Sequence, residues 1–169
     1  PWTLEDAPNL AAALSNKYVL DNLRDGLPYP YTEKDAEDFI NMALSADKAG
    51  KAYMFAISVD GKAVGSIGLF RKENIHSRTA EMGYYIAQSY WGQGIGTIAV
   101  SQTCRFIFDN TDILRIFAEP FADNAASCRV LEKSGFTYEG LLRKNAVKNC
   151  EVKDVKMYEI GRASCRVRV

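Results

Sequence analysis

The chain has 169 residues, and its 21 Lys and Arg residues balance its 21 Asp and Glu residues to a formal net charge of zero. This length suits a single domain, and the balanced charge argues against a broad nucleic-acid-binding surface. The sequence lacks both a signal-peptide pattern and an apolar run near the ~20 residues that span a bilayer. Its four cysteines lack metal-ligand spacing, so we expect no bound metal and free thiols in a reducing cytoplasm. From the charge and the lack of a long apolar run, we expect that the protein binds neither nucleic acid nor membranes.

Two helices are expected in the first 50 residues. In "APNLAAALSN", Ala7, Leu10 and Leu14 share one face of a short helix. After the loop "RDGLPYPYTEKD", Thr32 with Asp35 three residues later forms an acidic variant of the capping box and predicts a helix start. Apolar residues then recur at helical spacing, at Ala36, Phe39, Ile40, Ala43 and Leu44.

Strand patterns follow Gly50. The runs "AYMFAISV" and "AVGSIGLF" flank Asp60-Gly61, a strong hairpin signal, and "TAEMGYYIA" predicts a third strand. The helical pattern "TIAVSQTCRFIFDN" and the strand pattern "ILRIFAE" come next. A further helix is predicted in "NAASCRVLEKSGF", with Asn124 as its N-cap and Gly135 at its end.

The runs "YEGLLRKNAV" and "VKDVKMYEI" predict a closing hairpin around residues 148–150. This order of elements predicts an α+β fold with a mixed, mostly antiparallel sheet flanked by helices. Because "PWTLEDAP" starts without Met, we expect that a leading strand is partly missing. The ending "GRASCRVRV" has the character of vector-derived sequence, so we expect one domain over residues 1–160 and a tail over residues 161–169.

The glycine-rich segment "WGQGIGT" lies between a predicted strand and a predicted helix. A helix start offers unpaired N–H groups and the positive end of a dipole, and both stabilise an anion. Gly92, Gly94 and Gly96 let the backbone turn sharply and come close to a phosphate. The spacing matches neither GxxxxGK[ST] nor GxGxxG. Taken alone, the segment fits a helix-capping turn as well as a phosphate-binding loop.

Following "EMGYYIA", the segment "WGQGIGT" resembles the acyl-CoA-binding motif Q/R-x-x-G-x-G/A of the GNAT acetyltransferase superfamily. The run "NAASCRVLEKSGF" resembles the second cofactor-side helix of that superfamily. Upstream, "LPYPYTEKDAEDFI" resembles its branch of ribosomal-protein-alanine N-acetyltransferases, and the similarity spans residues 1–160. Trp91 stands at the Q/R position, so we expect the backbone amides of residues 92–97 to carry most of the pyrophosphate contact.

The resemblance implies an acetyl-CoA-dependent N-acetyltransferase with a sheet split into a V at the cofactor site. The acceptor would be a primary amine, on a protein N-terminus or a small molecule, that attacks the thioester directly. A non-catalytic CoA-binding sensor or scaffold is the alternative, and either a monomer or a homodimer is expected. The resemblance assigns cofactor contacts to Tyr85, Ile86, Ala87, Gly92, Gln93, Gly94, Ile95, Gly96, Thr97 and Asn124.

Two residues are candidates for proton transfer. The resemblance suggests Glu81 as the general base that accepts a proton from the acceptor amine, directly or through water. A strand-end carboxylate in a salt bridge or facing solvent is the alternative. It suggests that Ser127 protonates or hydrogen-bonds the CoA sulfur, and a second capping residue after Asn124 is the alternative.

The acceptor side is expected to involve Tyr29, Tyr31 and Glu119. The two tyrosines would form a stiff wall for the acceptor or, equally, a lid over the core, and Glu119 would line the cleft or face solvent. The single histidine, His76, is expected at the surface of a loop. Cys128 falls on a helical face and is expected to fill apolar space rather than act as a nucleophile.

Overall fold

The computed structural model describes residues 1–48 and 50–166. The chain forms two compact units. Unit 1 consists of Pro1–Leu69 and Tyr84–Gln93, and unit 2 consists of Phe70–Gly83 and the chain from Gly94 onwards. Within the described residues, no helix is long and apolar enough to cross a membrane.

Unit 1 begins with helices and continues into a hairpin. Its elements are α1 (Ala7–Leu14), α2 (Lys17–Leu20), α3 (Glu33–Lys48), β1 (Ala52–Val59) and the larger part of β2 (Lys62–Arg71). The predicted cap of α3 is confirmed, because the Thr32 amide donates to Asp35 Oδ2 at 2.8 Å and the Asp35 amide donates to Thr32 Oγ1 at 3.2 Å. The predicted hairpin turn is also confirmed, since Asp60 and Gly61 have φ angles of 49° and 76°.

The core of unit 1 follows the predicted helical faces. Most residues predicted to share the inner faces of α1 and α3 are buried, namely Ala7, Leu10, Leu14, Ala36, Ile40 and Ala43, and the other two, Phe39 and Leu44, are partly buried. The indole of Trp2 packs edge-on against Phe39, with 5.8 Å between ring centroids. The short helix α2 was not predicted, and its N-cap is Asn16, whose side chain accepts a hydrogen bond from the Tyr18 amide. A single turn has too few residues to show a 3.6-residue period.

The remaining elements are β3 (Thr79–Ile86), α4 (Ile95–Asn110), β4 (Arg115–Ala118), α5 (Ala125–Lys133), β5 (Thr137–Lys148), β6 (Glu151–Gly161) and α6 (Arg162–Arg166). The helix α4 begins two residues before the predicted run, and β4 is shorter than predicted. Asn124 and Gly135, the latter with φ 93°, bound α5 as predicted. Asn149 and Cys150, with φ 51° and 63°, form the turn of the predicted closing hairpin.

The six strands are hydrogen-bonded in the order β1-β2-β3-β4-β6-β5. β3 and β4 are parallel, whereas β6 pairs antiparallel with both β4 and β5. The α+β fold with a mixed, mostly antiparallel sheet is therefore confirmed. The parallel pairing ends where Glu81 faces Phe117, although β3 continues to Ile86.

Unit 2 buries the apolar faces of its helices and strands. Its fully buried side chains include Val100, Cys104, Ile107, Phe108, Ile113, Ile116 and Leu131. Arg162, the second residue of the predicted tail, donates to the backbone carbonyls of Phe108, Thr111 and Ile113. The Phe108 carbonyl lies in the last turn of α4, where helix geometry leaves backbone acceptors unpaired, and the other two carbonyls follow the helix.

Candidate cofactor-binding and active site

The glycine-rich turn leads into α4 with two residues in the left-handed region. Gly92 has φ 74°, and Gly94, the N-cap residue, has φ 79°. Gly94 has no side chain to cap the helix, and the amide of Ile98 donates to the Gly94 carbonyl at 3.2 Å. By helix geometry, the amides of residues 95–97 therefore have no acceptor within α4. They form the donor set that an anion requires.

The space beside this turn is open. A Cβ built on Gly92 or Gly94 would meet no atom within 4 Å. The two glycines therefore have no protein atom close to the positions that a side chain would take. By contrast, the first turns of α3 and α5 are capped by the side chains of Thr32 and Asn124. The turn before α4 thus combines uncapped amides with free space at its two left-handed glycines, as a site for an anion requires.

Trp91 and Gln93 direct their side-chain donors at the backbone of the protein. Trp91 Nε1 donates to the carbonyl oxygen of Ile86 at 2.7 Å. Gln93 Nε2 donates to the Ser89 carbonyl at 3.1 Å. Because both donors already bond to the protein, the amides of the turn are the groups best placed to contact a phosphate.

The end of β3 is shaped by a glycine that the sequence analysis did not single out. A Cβ on Gly65 would lie 2.2 Å from the carbonyl oxygen of Tyr85, so β2 and β3 approach each other very closely here. The Ala87 amide donates to the Val64 carbonyl at 2.7 Å. The Tyr85 side chain packs against the buried core of unit 1, and burial raises the pKa of its hydroxyl. Tyr85 therefore directs its side chain into unit 1. The sequence did contain a signal for this close approach, because Gly65 lies inside an apolar strand.

A cavity of about 470 Å³ lies in unit 1 beside the residues that follow β3. Its lining includes Ala87, a predicted cofactor contact, with polar side chains from Asn9, Asn16, Lys62, Gln88 and Ser89. Asn16 Nδ2 donates to Gln88 Oε1 at 2.8 Å and connects α2 to this segment.

The start of α5 combines two of the predicted residues. Asn124 Oδ1 accepts a hydrogen bond from the Ser127 amide at 3.1 Å, which confirms Asn124 as the N-cap. The cap uses the side-chain oxygen, so the Nδ2 hydrogens are the part of Asn124 that can reach a ligand. Ser127 is partly buried, and Cys128 is buried as expected.

Glu81 lies at the last pair of the parallel ladder, and its side chain is only 13% exposed. Lys72 Nζ donates to Glu81 Oε2 at 2.7 Å. The same ammonium lies 5.3 Å from the centroid of the Phe117 ring. The salt bridge considered for Glu81 therefore exists, and its partner is a lysine that the sequence analysis did not identify.

The candidate acceptor residues differ in exposure. Tyr29 is 67% exposed, whereas Tyr31 is only 4% exposed and its hydroxyl donates to the Asp35 carbonyl at 3.2 Å. Burial raises the pKa of Tyr31 to about 12, with smaller contributions from the charges of Asp35 and Asp38. These observations favour the alternative for Tyr31, a residue that covers the core.

Two further predicted residues lie outside regular helices and strands. Glu119 is partly buried just after β4. His76 is exposed at the end of the 3-10 turn Asn74–His76, as expected. Among the described residues, no group of three or more His, Cys, Asp and Glu side chains is arranged to hold a metal ion.

Comparison with known proteins identifies the family. The model of the acetyltransferase (GNAT) domain matches residues 1–137 of this chain. The chain belongs to the GNAT acetyltransferase family. It is an N-acetyltransferase that uses acetyl-CoA. The resemblance stated from the sequence is thereby confirmed, and so is the enzyme class.

Relatives within the GNAT family match most of the chain. The uncharacterized N-acetyltransferase YoaA of Bacillus subtilis is 30% identical over 168 residues, which cover 94% of this chain and 89% of YoaA. The ribosomal-protein-serine acetyltransferase of Escherichia coli is 28% identical over 143 residues, covering 85% of this chain and 79% of that enzyme.

Solved GNAT structures share the fold. The structure of Mycobacterium smegmatis RimJ in complex with CoA-disulfide superposes with a TM-score of 0.85 at 23% identity. The match covers 99% of this chain and 86% of RimJ. The roles of individual site residues in this chain remain predictions.

Proposed function

We propose that this GNAT enzyme acetylates the primary amine of a protein N-terminus or of a small molecule by direct attack on the thioester of acetyl-CoA. The uncapped first turn of α4, with its two left-handed glycines and open flank, is the observation that carries the proposal. It supplies backbone donors for the pyrophosphate, and acetyl-CoA supplies the activated acetyl group.

The acceptor class we favour is the α-amine of a polypeptide. Support comes from the relative in Escherichia coli, whose name describes a ribosomal-protein-serine acetyltransferase. The zero net charge gives no sign of steering toward RNA or a strongly basic partner. We therefore propose a peptide N-terminus without assigning a ribosomal protein as the substrate.

We propose Glu81 as the group that takes the proton from the acceptor ammonium. Its low exposure and its position at the end of the parallel ladder support this role. We propose that the Ser127 hydroxyl protonates the departing CoA sulfur or donates a hydrogen bond to it. We further propose that Asn124 Nδ2 contacts the pantetheine arm. The backbone of Tyr85, Ile86 and Ala87 is assigned to the same arm.

The proposal is tested by measuring thiol release from acetyl-CoA with a panel of acceptors. The panel contains peptides that start with Ser or Ala, the same peptides with a blocked N-terminus, polyamines, amino acids and aminoglycosides. Turnover with the free peptides alone supports the proposed acceptor, whereas turnover only with polyamines or aminoglycosides assigns a small-molecule acceptor. CoA binding without any turnover would instead support the sensor or scaffold.

The role of Glu81 is tested by Glu81→Gln, with Glu139→Gln as the matched control. Glu139 also pairs with a cation in unit 2, the guanidinium of Arg115. Loss of a general base is expected to lower kcat by about 100-fold or more, and most strongly at low pH, where the acceptor arrives as an ammonium ion. Glu139→Gln is expected to leave kcat within about twofold of wild type. Equal effects of both variants would remove Glu81 from the mechanism.

A further inference from the structure

Lys72 is a primary amine held against the carboxylate that we assign as the general base. Its Nζ lies 2.7 Å from Glu81 Oε2 and 5.3 Å from the centroid of the Phe117 ring. Glu81 and Phe117 face each other in the last pair of the parallel ladder. The ammonium of Lys72 therefore lies between a carboxylate and an aromatic face, which are two groups that bind cations.

This position gives Lys72 one contact that an acceptor amine needs, a hydrogen bond to the proposed base. An amine hydrogen-bonded to the base is placed for deprotonation, and the Lys72 side chain is 40% exposed, so its environment is open to solvent. The backbone amide of Lys72 donates to the Thr79 carbonyl at 2.9 Å, which fixes the base of the side chain beside β3. Lys72 is therefore held beside Glu81 before any acceptor arrives.

We propose that Lys72 is a site of self-acetylation, an inference that rests on the proposed role of Glu81. One proton of the Lys72 ammonium passes to the Glu81 carboxylate and on to solvent, and the neutral amine attacks the thioester carbonyl. The C–N bond forms, the C–S bond breaks, and the second proton of the amine ends on the CoA sulfur. The products are Nε-acetyl-Lys72 and free CoA thiol.

The modification changes the charge next to Glu81. An acetylated lysine has no positive charge, so it cannot form the ion pair with the carboxylate. An acceptor ammonium would then approach Glu81 without competition from the positive charge of Lys72. Self-acetylation would thus occur once per enzyme molecule. It would change the charge that later acceptor amines encounter beside Glu81.

Lys153 provides an internal control for uncatalysed acetylation. Its Nζ lies 2.8 Å from Asp123 Oδ2 and 3.1 Å from Glu151 Oε2. It is therefore also a carboxylate-paired lysine of unit 2, but neither carboxylate is a candidate base. Lys72→Arg keeps a cation beside Glu81 but removes the primary amine.

The experiment incubates the purified protein with acetyl-CoA and no acceptor, and follows acetylation of each lysine by peptide mass spectrometry. Acetylation at Lys72 is expected to be about 100-fold faster than at Lys153, the contribution of a positioned base. In Glu81→Gln it should fall to the rate at Lys153. Equal rates at Lys72 and Lys153 in wild type would overturn the inference.

A second readout tests the starting geometry without acetyl-CoA. In the free protein, NMR of the lysine ammonium groups is expected to show a slowly exchanging Lys72 signal that is lost in Glu81→Gln and absent from Lys72→Arg. A rapidly exchanging Lys72 ammonium would mean that Glu81 does not hold it in solution, and this would overturn the inference. If wild type acetylates the peptide panel while Lys72 stays unmodified, self-acetylation is wrong and the proposed function stands. If neither Lys72 nor any amine of the acceptor panel is acetylated, the proposed function fails as well.

Discussion

The indole Nε1–H of Trp91 donates a 2.7 Å hydrogen bond to the carbonyl oxygen of Ile86, the last residue of β3. The bond ties the first residue of the glycine-rich segment to the strand that precedes it. At this position the acyl-CoA-binding motif carries Gln or Arg, whose side chain can reach a phosphate. In this chain the Trp91 donor bonds to the protein itself, so we expect the backbone amides of the turn to make the contact with the ligand.

We predict that Trp91→Phe weakens CoA binding about fivefold, or by about 1 kcal/mol, because the turn loses one hydrogen bond that holds its shape. Isothermal titration calorimetry with CoA measures the effect. Tyr90→Phe, in the same segment, serves as the control and is expected to keep the wild-type Kd. An unchanged Kd in Trp91→Phe would show that the turn keeps its shape without this bond.

Gly94→Glu is expected to weaken CoA binding by at least about 30-fold, or ~2 kcal/mol. The new carboxylate would accept hydrogen bonds from the amides in the first turn of α4 and would repel the phosphates. Gly61→Glu is a closely matched control, because Gly61 has φ 76° against 79° for Gly94 and a Cβ there also meets no atom within 4 Å. Both variants should lose about 1 kcal/mol of stability from backbone strain. Similar CoA affinities in the two variants would exclude the turn as the phosphate site.

Gly65→Ala is expected to lower the free energy of unfolding by about 3 kcal/mol, since its Cβ would overlap the Tyr85 carbonyl oxygen at 2.2 Å and force β2 and β3 apart. Urea unfolding measures the loss. Gly83→Ala is the control within β3, because a Cβ there meets no atom within 4 Å. The close approach of the strands would be disproved if both alanine variants were equally stable.

Removal of the Arg162 side chain is expected to destabilise the protein by about 2 kcal/mol. Its guanidinium donates to three backbone carbonyls at and beyond the end of α4, and Arg162→Ala would leave them without this charged partner. Thermal unfolding of Arg162→Ala and of a chain that ends at Gly161 should show similar losses. Wild-type stability of the shortened chain would mean that residues from 162 onwards contribute nothing to the fold.

The cap of α3 is expected to make stability depend on pH. Hydrogen bonds from the Thr32 side chain and then its amide lower the pKa of Asp35 from its ordinary value of 3.8. A lowered pKa in the folded state gives stability that is present above the unfolded pKa and lost as the pH falls through the folded pKa. The difference in unfolding free energy between wild type and Asp35→Asn should therefore shrink below about pH 4. A difference that is constant from pH 7 to pH 3 would contradict this assignment.

Local signals predicted most of the fold. Thr32 with Asp35, Asp60 with Gly61, and Asn124 with Gly135 each mark a boundary through chemistry within a few residues, and each boundary was found. The helix at residues 162–166 was not predicted. Its first residue bonds to carbonyls about 50 positions earlier in the chain, and no local pattern encodes such a contact.

The candidate site was only partly predictable for the same reason. The turn at residues 92–97 could be located from the glycine spacing and the family motif. The pairing of Lys72 with Glu81, by contrast, depends on how two strands lie side by side, and the contact with Phe117 depends on the register of a third. Sequence alone showed that Trp91 departs from the motif, but not that its N–H holds the end of β3.

The uncapped start of α4 also bears on the lifetime of the protein. Three amides at this helix end have no acceptor within the helix, and a bound phosphate would complete the cap that Gly94 cannot provide. Because such a ligand binds the folded chain only, the resistance of the enzyme to proteolysis would rise with the concentration of CoA and acetyl-CoA. The abundance of this enzyme would then follow the supply of its own cosubstrate.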